Sequence, residues 1–205
     1  HPKLDKALLE AVREHATRQD REITDAYERQ AVVTEAAYLL GLAGLWADSD
    51  ALLQANLARS HSPYYLMSQL GGNARKLGRT DEALRWYQQA FDKSEGPATR
   101  LQWGAGYVAA LVELAPKDGA RIEKAAGQLF KEAGQDQGAF YERSARSLQR
   151  VGNKLVEWNA DGRQVLGRNG SRHLEAGDAG GQDDAGDLVA QGDGSGRGGD
   201  GAATG

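Results

Sequence analysis

The side chains that most often do chemistry are sparse in this sequence. None of the 205 residues is cysteine, which excludes a thiolate nucleophile, a disulfide and a cysteine metal site. No serine stands in a G-x-S-x-G elbow and no glycine run forms a phosphate-binding loop. The sequence therefore predicts no catalytic, cofactor-binding or metal-ligating residue, and a chain that is not itself an enzyme.

The four histidines are too scattered for a paired metal motif such as H-E-x-x-H. His15 lies on the apolar side of a predicted helix, where a packed histidine is the simplest expectation. His61 precedes a Ser-Pro pair and is predicted to be a turn residue. The remaining two are His1 and His173.

Large aromatic residues concentrate in the middle of the chain. Most of them are expected to fill the core, because paired helices need bulky side chains between them. They are Tyr64, Tyr65, Trp86, Trp103 and Tyr107.

Composition predicts an all-α fold. The chain is 40% hydrophobic but only 7% aromatic, and alanine and leucine dominate, which favours close-packed helices over strands. Before residue 160 there are about 21 basic and about 21 acidic side chains, so the net charge of -4 comes from the last segment. A neutral body argues against nucleic-acid binding, and no apolar run reaches the roughly 20 residues of a membrane span.

Apolar periodicity predicts eight helices separated by turn residues, and no strand. The segment 47–50, Ala-Asp-Ser-Asp, is predicted to be a turn and helix cap. The predicted helices are 2–18, 20–45, 51–59, 64–77, 80–93, 98–114, 120–133 and 139–158.

The most specific pattern is LGGNARKLGRTDEALRWYQQAF. Its Leu70-Gly71 pair, turn residue Gly78, and Ala83, Tyr87 and Ala90 resemble one tetratricopeptide repeat, in which small residues let two helices approach and an aromatic fills the gap. Such repeats imply antiparallel helix hairpins stacked as a short solenoid.

Weaker copies of this pattern are predicted on both sides. Ala51 and Ala58 precede Ala83 and Ala90 by 32 residues, while Ala120 and Gly127 follow them by 37. The resulting organisation is N-terminal helices (1–34), repeats (35–134), a C-terminal helix (135–159) and a tail (160–205). An unrelated helical bundle, whose small residues merely mark tight crossings, is the alternative.

The repeat resemblance implies a peptide groove. In such repeats the first helix lines the groove, and the family pattern places Tyr65, Arg75 and Lys76 on that side. An aromatic with two cations can accept an extended peptide or its carboxylate. A solvated surface is the competing interpretation.

A second resemblance covers HSPYYLMSQLGGNARKLGRTDEALRWYQQAFDKSEGPATRLQWGAGY. This stretch is similar to the helical C-terminal region of some bacterial envelope proteins of the thioredoxin family. The resemblance implies a C-x-x-C redox domain upstream of His1, a periplasmic location and a helper role; without it, a cytoplasmic location is expected.

The last segment changes in character. About half of the 27 glycines fall after residue 159, together with Asp, Ala and Arg, and so little apolar surface predicts disorder. An out-of-frame translation of GC-rich DNA is a second hypothesis for this tail.

The function predicted from sequence is a non-catalytic helical scaffold that binds a protein or peptide. The alternatives are the accessory region of a thioredoxin-like oxidoreductase or isomerase, and a purely structural bundle. The chain is expected neither to bind nucleic acid nor to insert into a membrane. The sequence does not predict its oligomeric state.

Overall fold

The computed structural model describes residues 4–136, 139 and 142–160. Over these residues the chain forms eight α-helices and no strand, so the all-α prediction is confirmed. The predicted disordered tail lies outside the described residues from 161 onward. The helices are α1 Lys6–Glu22, α2 Ala26–Leu42, α3 Trp46–Asn56, α4 Pro63–Lys76, α5 Thr80–Lys93, α6 Pro97–Leu114, α7 Gly119–Gln135 and α8 Glu142–Ala160, with a 3₁₀ turn at Leu57–Arg59.

The helices stack as antiparallel hairpins. Three hairpins, α2–α3, α4–α5 and α6–α7, follow one another, and the second helix of each of the first two packs on the first helix of the next. Helix α1 packs on α2 at one end, and α8 packs on α6 at the other. Each helix therefore buries its apolar side mainly against near neighbours in the chain, as in a solenoid.

The first two hairpins share one turn. Gly44 and Gly78 have φ angles of 78° and 72°, a left-handed conformation that favours glycine. In both turns the N–H of the residue after the glycine donates to the carbonyl four residues before the glycine, at 2.8 Å. The shift between them, 78 − 44 = 34 residues, equals the tetratricopeptide period.

Two further glycines allow close helix approach. A Cβ atom at Gly71 would lie 2.9 Å from the ring of Tyr87, within the α4–α5 hairpin. A Cβ at Gly104 would lie 2.9 Å from the ring of Phe91, between α6 and α5. The first contact joins the glycine and the aromatic that the repeat pattern names, and the second joins two residues that the pattern did not name.

The predicted turn at 47–50 is wrong, since α3 already begins at Trp46. Ser49 is fully buried in its first turn, where its Oγ donates to the Ala37 carbonyl of α2 at 2.8 Å. Asn73 of α4 donates its Nδ2 to the same Oγ at 2.9 Å. Polar residues that resemble a cap are therefore part of the seam between helices.

The break between the first two helices also differs from the prediction. Helix α1 continues to Glu22, and α2 begins at Ala26, where the carboxylate of Asp25 accepts from two N–H groups of the first turn. The predicted boundary between residues 34 and 35 falls inside α2.

The residues chosen for the weaker repeat copies are wrong. Those residues, Ala51, Ala58, Ala120 and Gly127, are all exposed. Among the buried pairs seven residues apart, those that begin at the fourth residue of their helix, as Ala83 does in α5, are Ser49 with Asn56 in α3 and Ile122 with Leu129 in α7. Relative to Ala83 the shifts are 83 − 49 = 34 and 122 − 83 = 39 residues, two more than predicted on each side.

A buried arginine ties the N-terminal helices together. Arg29 of α2 is 4% exposed. Its guanidinium donates to the backbone carbonyls of Asp20 and Ile23, to the Asp20 carboxylate and to the Asn56 side chain. The Asn56 amide in turn donates to Asp20 at 2.9 Å. One side chain thereby joins α1, α2 and α3.

Candidate binding face

The even-numbered helices form one layer and bring the predicted groove residues to its surface. Two side-chain contacts join α4 to α6, one from Tyr65 to Trp103 and one from Arg75 to Glu113. Both contacts span 38 residues (103 − 65 and 113 − 75), and a constant shift means that the two helices run parallel. We call the surface formed by Tyr65, Gln69, Arg75, Lys76, Glu113 and Lys154 the α4–α6–α8 face.

An aromatic cluster occupies the N-terminal end of this face. The ring of Tyr65 meets Trp103 edge-on at 5.3 Å between centroids and lies 5.0 Å from the ring of Tyr64. Trp103 is buried, whereas Tyr65 is 41% exposed. Tyr65 therefore offers an aromatic surface held in place by two other rings.

A row of charges crosses the other end of the face. The Glu113 carboxylate on α6 accepts from Arg75 of α4 at 2.8 Å and from Lys154 of α8 at 2.5 Å. The two cations are 49% and 40% exposed at their side chains. Because two cations share one carboxylate, the row carries a net positive charge.

A phenol lies behind this row. Burial raises the pKa of the Tyr87 hydroxyl, and the neighbouring Arg75 guanidinium opposes that rise. Tyr87 is the ring that packs on Gly71. Arg75 is thus placed from one side by Tyr87 and from the other by Glu113.

Lys76 adds a further cation to the face. It lies 11 residues after Tyr65, just over three helical turns, so both side chains point in nearly the same direction from α4. Lys76 is exposed and forms no ion pair with any described residue. The structure therefore brings all three predicted groove residues to one face.

Small residues separate the aromatic and charged ends. Among the described residues, no atom lies within 4 Å of a Cβ built at Gly106 of α6, and only the Tyr87 hydroxyl, at 3.9 Å, would meet one at Gly72 of α4. Both glycines are half-buried. The middle of the face is consequently open down to the helix backbones.

Two buried polar atoms of the face lack hydrogen-bond partners among the described residues. They are the Trp103 Nε1 donor and the Gln69 Oε1 acceptor, although Gln69 Nε2 donates to the Thr34 carbonyl of α2 at 3.0 Å. A buried polar atom without a partner costs about 1–3 kcal/mol. Gln69 lies one turn after Tyr65 on α4, and Trp103 of α6 contacts the Tyr65 ring.

Sequence reasoning missed Glu113 and Lys154. Neither belongs to the repeat pattern. Glu113 meets Arg75, and Lys154 meets Glu113, only through packing between helices that are distant in the sequence. The 38-residue shift between α4 and α6 could have located Glu113, but it becomes visible only once those helices are known to be parallel, and it does not reach Lys154 on α8.

The remaining chemistry-bearing residues do not join this face. His15 lines an open cleft of about 310 Å³ between α1 and α2 with Gln19 and Glu35. His61 is exposed in the turn before α4, with its Nδ1 3.1 Å from Ser62 Oγ, and His1 and His173 lie outside the described residues. In the described part of the chain no group of three His, Asp or Glu side chains could hold a metal ion, and no helix has the length and apolarity to cross a bilayer.

Comparison with known proteins returns no relative. No family model, no curated protein and no solved structure matches this chain. The tetratricopeptide and thioredoxin-family resemblances stay predictions from the sequence, and function is argued from the geometry of the face.

Proposed function

We propose that this chain is a non-catalytic scaffold that binds an extended protein segment or peptide on the α4–α6–α8 face. The observation that carries the proposal is the row in which Arg75 and Lys154 share the single Glu113 carboxylate while staying partly exposed. A cation that shares its counterion with another cation can donate hydrogen bonds to an anionic ligand without first breaking a complete ion pair.

The open middle of the face supports an extended ligand. The backbone of a ligand can approach the backbone of a helix closely only where the helix lacks large side chains, as at Gly72 and Gly106. Side chains at the two ends then supply selectivity.

The proposal is tested by selecting peptides from a random 12-residue library against the full chain and measuring their affinities. Binding is expected to weaken at least about tenfold in Tyr65→Ala, since aromatic anchors dominate peptide interfaces. Tyr27→Ala is the matched control, because Tyr27 is 75% exposed on α2 and lies outside the face.

Two results would count against the proposal. Failure of the library to yield any peptide that the wild-type chain binds would favour a purely structural bundle. Peptides that bind Tyr65→Ala and wild type equally would place the binding surface elsewhere. Far-UV circular dichroism of both variants checks that the helices are intact.

A further inference from the structure

The two ends of the α4–α6–α8 face differ in chemistry and lie a fixed distance apart. Tyr65 and Arg75 are ten residues apart on one unbroken helix, which corresponds to about 15 Å along its axis. The aromatic end is apolar, and at the charged end Arg75 and Lys154 share the Glu113 carboxylate beside Lys76. A ligand that spans the face must match both ends at that spacing.

An extended peptide advances about 3.3 Å per residue, so four to five residues cover this distance. Side chains of an extended chain alternate between its two sides, and only an even separation turns two of them toward the same surface. A separation of four positions satisfies both conditions, whereas five would point one side chain away.

We infer that the preferred ligand is an extended peptide with a large apolar side chain and an acidic side chain four positions apart. The apolar side chain packs on Tyr65, and the carboxylate completes the charge of Arg75, Lys76 and Lys154. This inference rests on the proposed function, because it names the ligand class of the same face.

The charge of the neighbouring helix surface agrees with an anionic ligand. Arg150 and Arg146 lie one and two turns before Lys154 on α8, both exposed and without an ion pair to any described residue. Glu157 is the exposed acid on the same side of α8. With Arg75 and Lys76 these side chains leave a positive surplus around the charged end.

The test uses fluorescence anisotropy with labelled ten-residue peptides of serine and asparagine that carry one leucine and one glutamate. The two residues are placed two, four or five positions apart, in both chain directions, and titrated with the full chain at low salt. A separation of four is expected to bind at least about fivefold more tightly than two or five. Raising the salt should weaken that advantage, since the exposed charges become screened.

A charge exchange sharpens the test. Lys76→Glu removes a cation that holds no ion pair among the described residues, so the fold should be unaffected. The variant should bind the glutamate peptide about tenfold more weakly and prefer the same peptide with lysine in place of glutamate. Lys124→Glu on α7 makes the same charge change on the other layer and should leave affinity unaltered.

The outcomes separate the inference from the proposed function. Equal affinity at all spacings, or no preference for glutamate over glutamine, would overturn the inference while leaving peptide binding intact. Absence of binding by these peptides and by every library peptide would overturn both. If Lys124→Glu lost as much affinity as Lys76→Glu, the loss would come from the net charge of the chain and not from the position of Lys76, which would also overturn the inference.

Discussion

The α2–α3 and α4–α5 hairpins share a turn but fill the seam between their helices in different ways. In α4–α5 the inward positions are Ala83 and Ala90, which are 0% and 1% exposed. In α3 the positions 34 residues earlier are Ser49 and Asn56, equally buried. One seam closes by small-residue packing and the other by hydrogen bonds to neighbouring helices.

This difference shows that an inward repeat position requires a side chain of suitable size whose polar atoms, if it has any, are hydrogen-bonded. It does not require an apolar side chain. A buried hydroxyl or amide is tolerated when each polar atom finds a partner. Ser49 bonds to α2 and α4, and Asn56 bonds to Arg29 and Asp20. We call the group formed by Arg29, Asp20 and Asn56 the polar seam. It should be more fragile than the apolar one, because each of its three side chains bonds to the other two.

The largest effect is expected from Arg29→Ala, which removes the centre of the polar seam. The change leaves the Asp20 carboxylate and the Asn56 oxygen without their cation, and should lower the free energy of unfolding by about 2–4 kcal/mol. Urea unfolding followed by circular dichroism measures it. Arg85→Ala, at an exposed position of α5 without an ion pair among the described residues, should cost under about 0.5 kcal/mol; equal losses would contradict the comparison.

Exchanging residues between the seams should destabilise both hairpins. Asn56→Ala strands its partners and should cost about 1–3 kcal/mol. Ala90→Asn buries an amide among apolar groups and should cost about 2–3 kcal/mol. Both losses are read from denaturant midpoints, and a neutral Ala90→Asn would mean that the apolar seam has room and partners that it does not display.

The shared turn should respond alike in both hairpins. Gly44→Ala and Gly78→Ala force a side chain into the left-handed region, and no atom of the described residues lies within 4 Å of either new Cβ. Each should cost about 1–2 kcal/mol from backbone strain alone. Thermal unfolding of each variant measures the loss of free energy of unfolding. A difference above about 0.5 kcal/mol between the two losses would show that the turns are not equivalent.

The smallest effect is a pH dependence confined to the polar seam. Burial raises the pKa of Asp20, but hydrogen bonds from Asn56 and Arg29 outweigh it and hold the pKa below its usual 3.8. A lowered carboxylate pKa stabilises the fold above the unfolded-state value and loses that contribution as the pH falls below 3.8. As the pH is lowered from 6 to about 3, the free energy of unfolding should fall less steeply in Asp20→Asn than in wild type.

Much of this fold could be predicted from helical periodicity. Apolar spacing located every helix, because tertiary packing follows the amphipathic stripe that the sequence carries. The start of α3 could not be predicted in the same way. Asp48, Ser49 and Asp50 have the composition of a helix cap, and only the Asn73 and Ala37 contacts show why Ser49 is buried inside the helix.

The candidate face was only half visible in the sequence. Tyr65, Arg75 and Lys76 stand on one helix whose register the repeat pattern gives. Glu113 and Lys154 depend on the parallel arrangement of α4, α6 and α8, which is a property of hairpin stacking and leaves no local motif. The search for small apolar residues likewise missed Ser49 and Asn56, because polar residues are ordinarily expected at the surface and not at buried repeat positions.

The thin packing of α1 affects how the molecule comes apart. Ala16 is its one buried residue among those described, and Leu8 stays 46% exposed. In a linear stack, stability is the sum of what each unit gains from its neighbours, so α1 has the least to lose by detaching. Its amide protons should exchange with solvent through local opening, whereas those of α6 should exchange only on global unfolding. Unfolding is therefore expected to begin at α1 and to proceed along the stack.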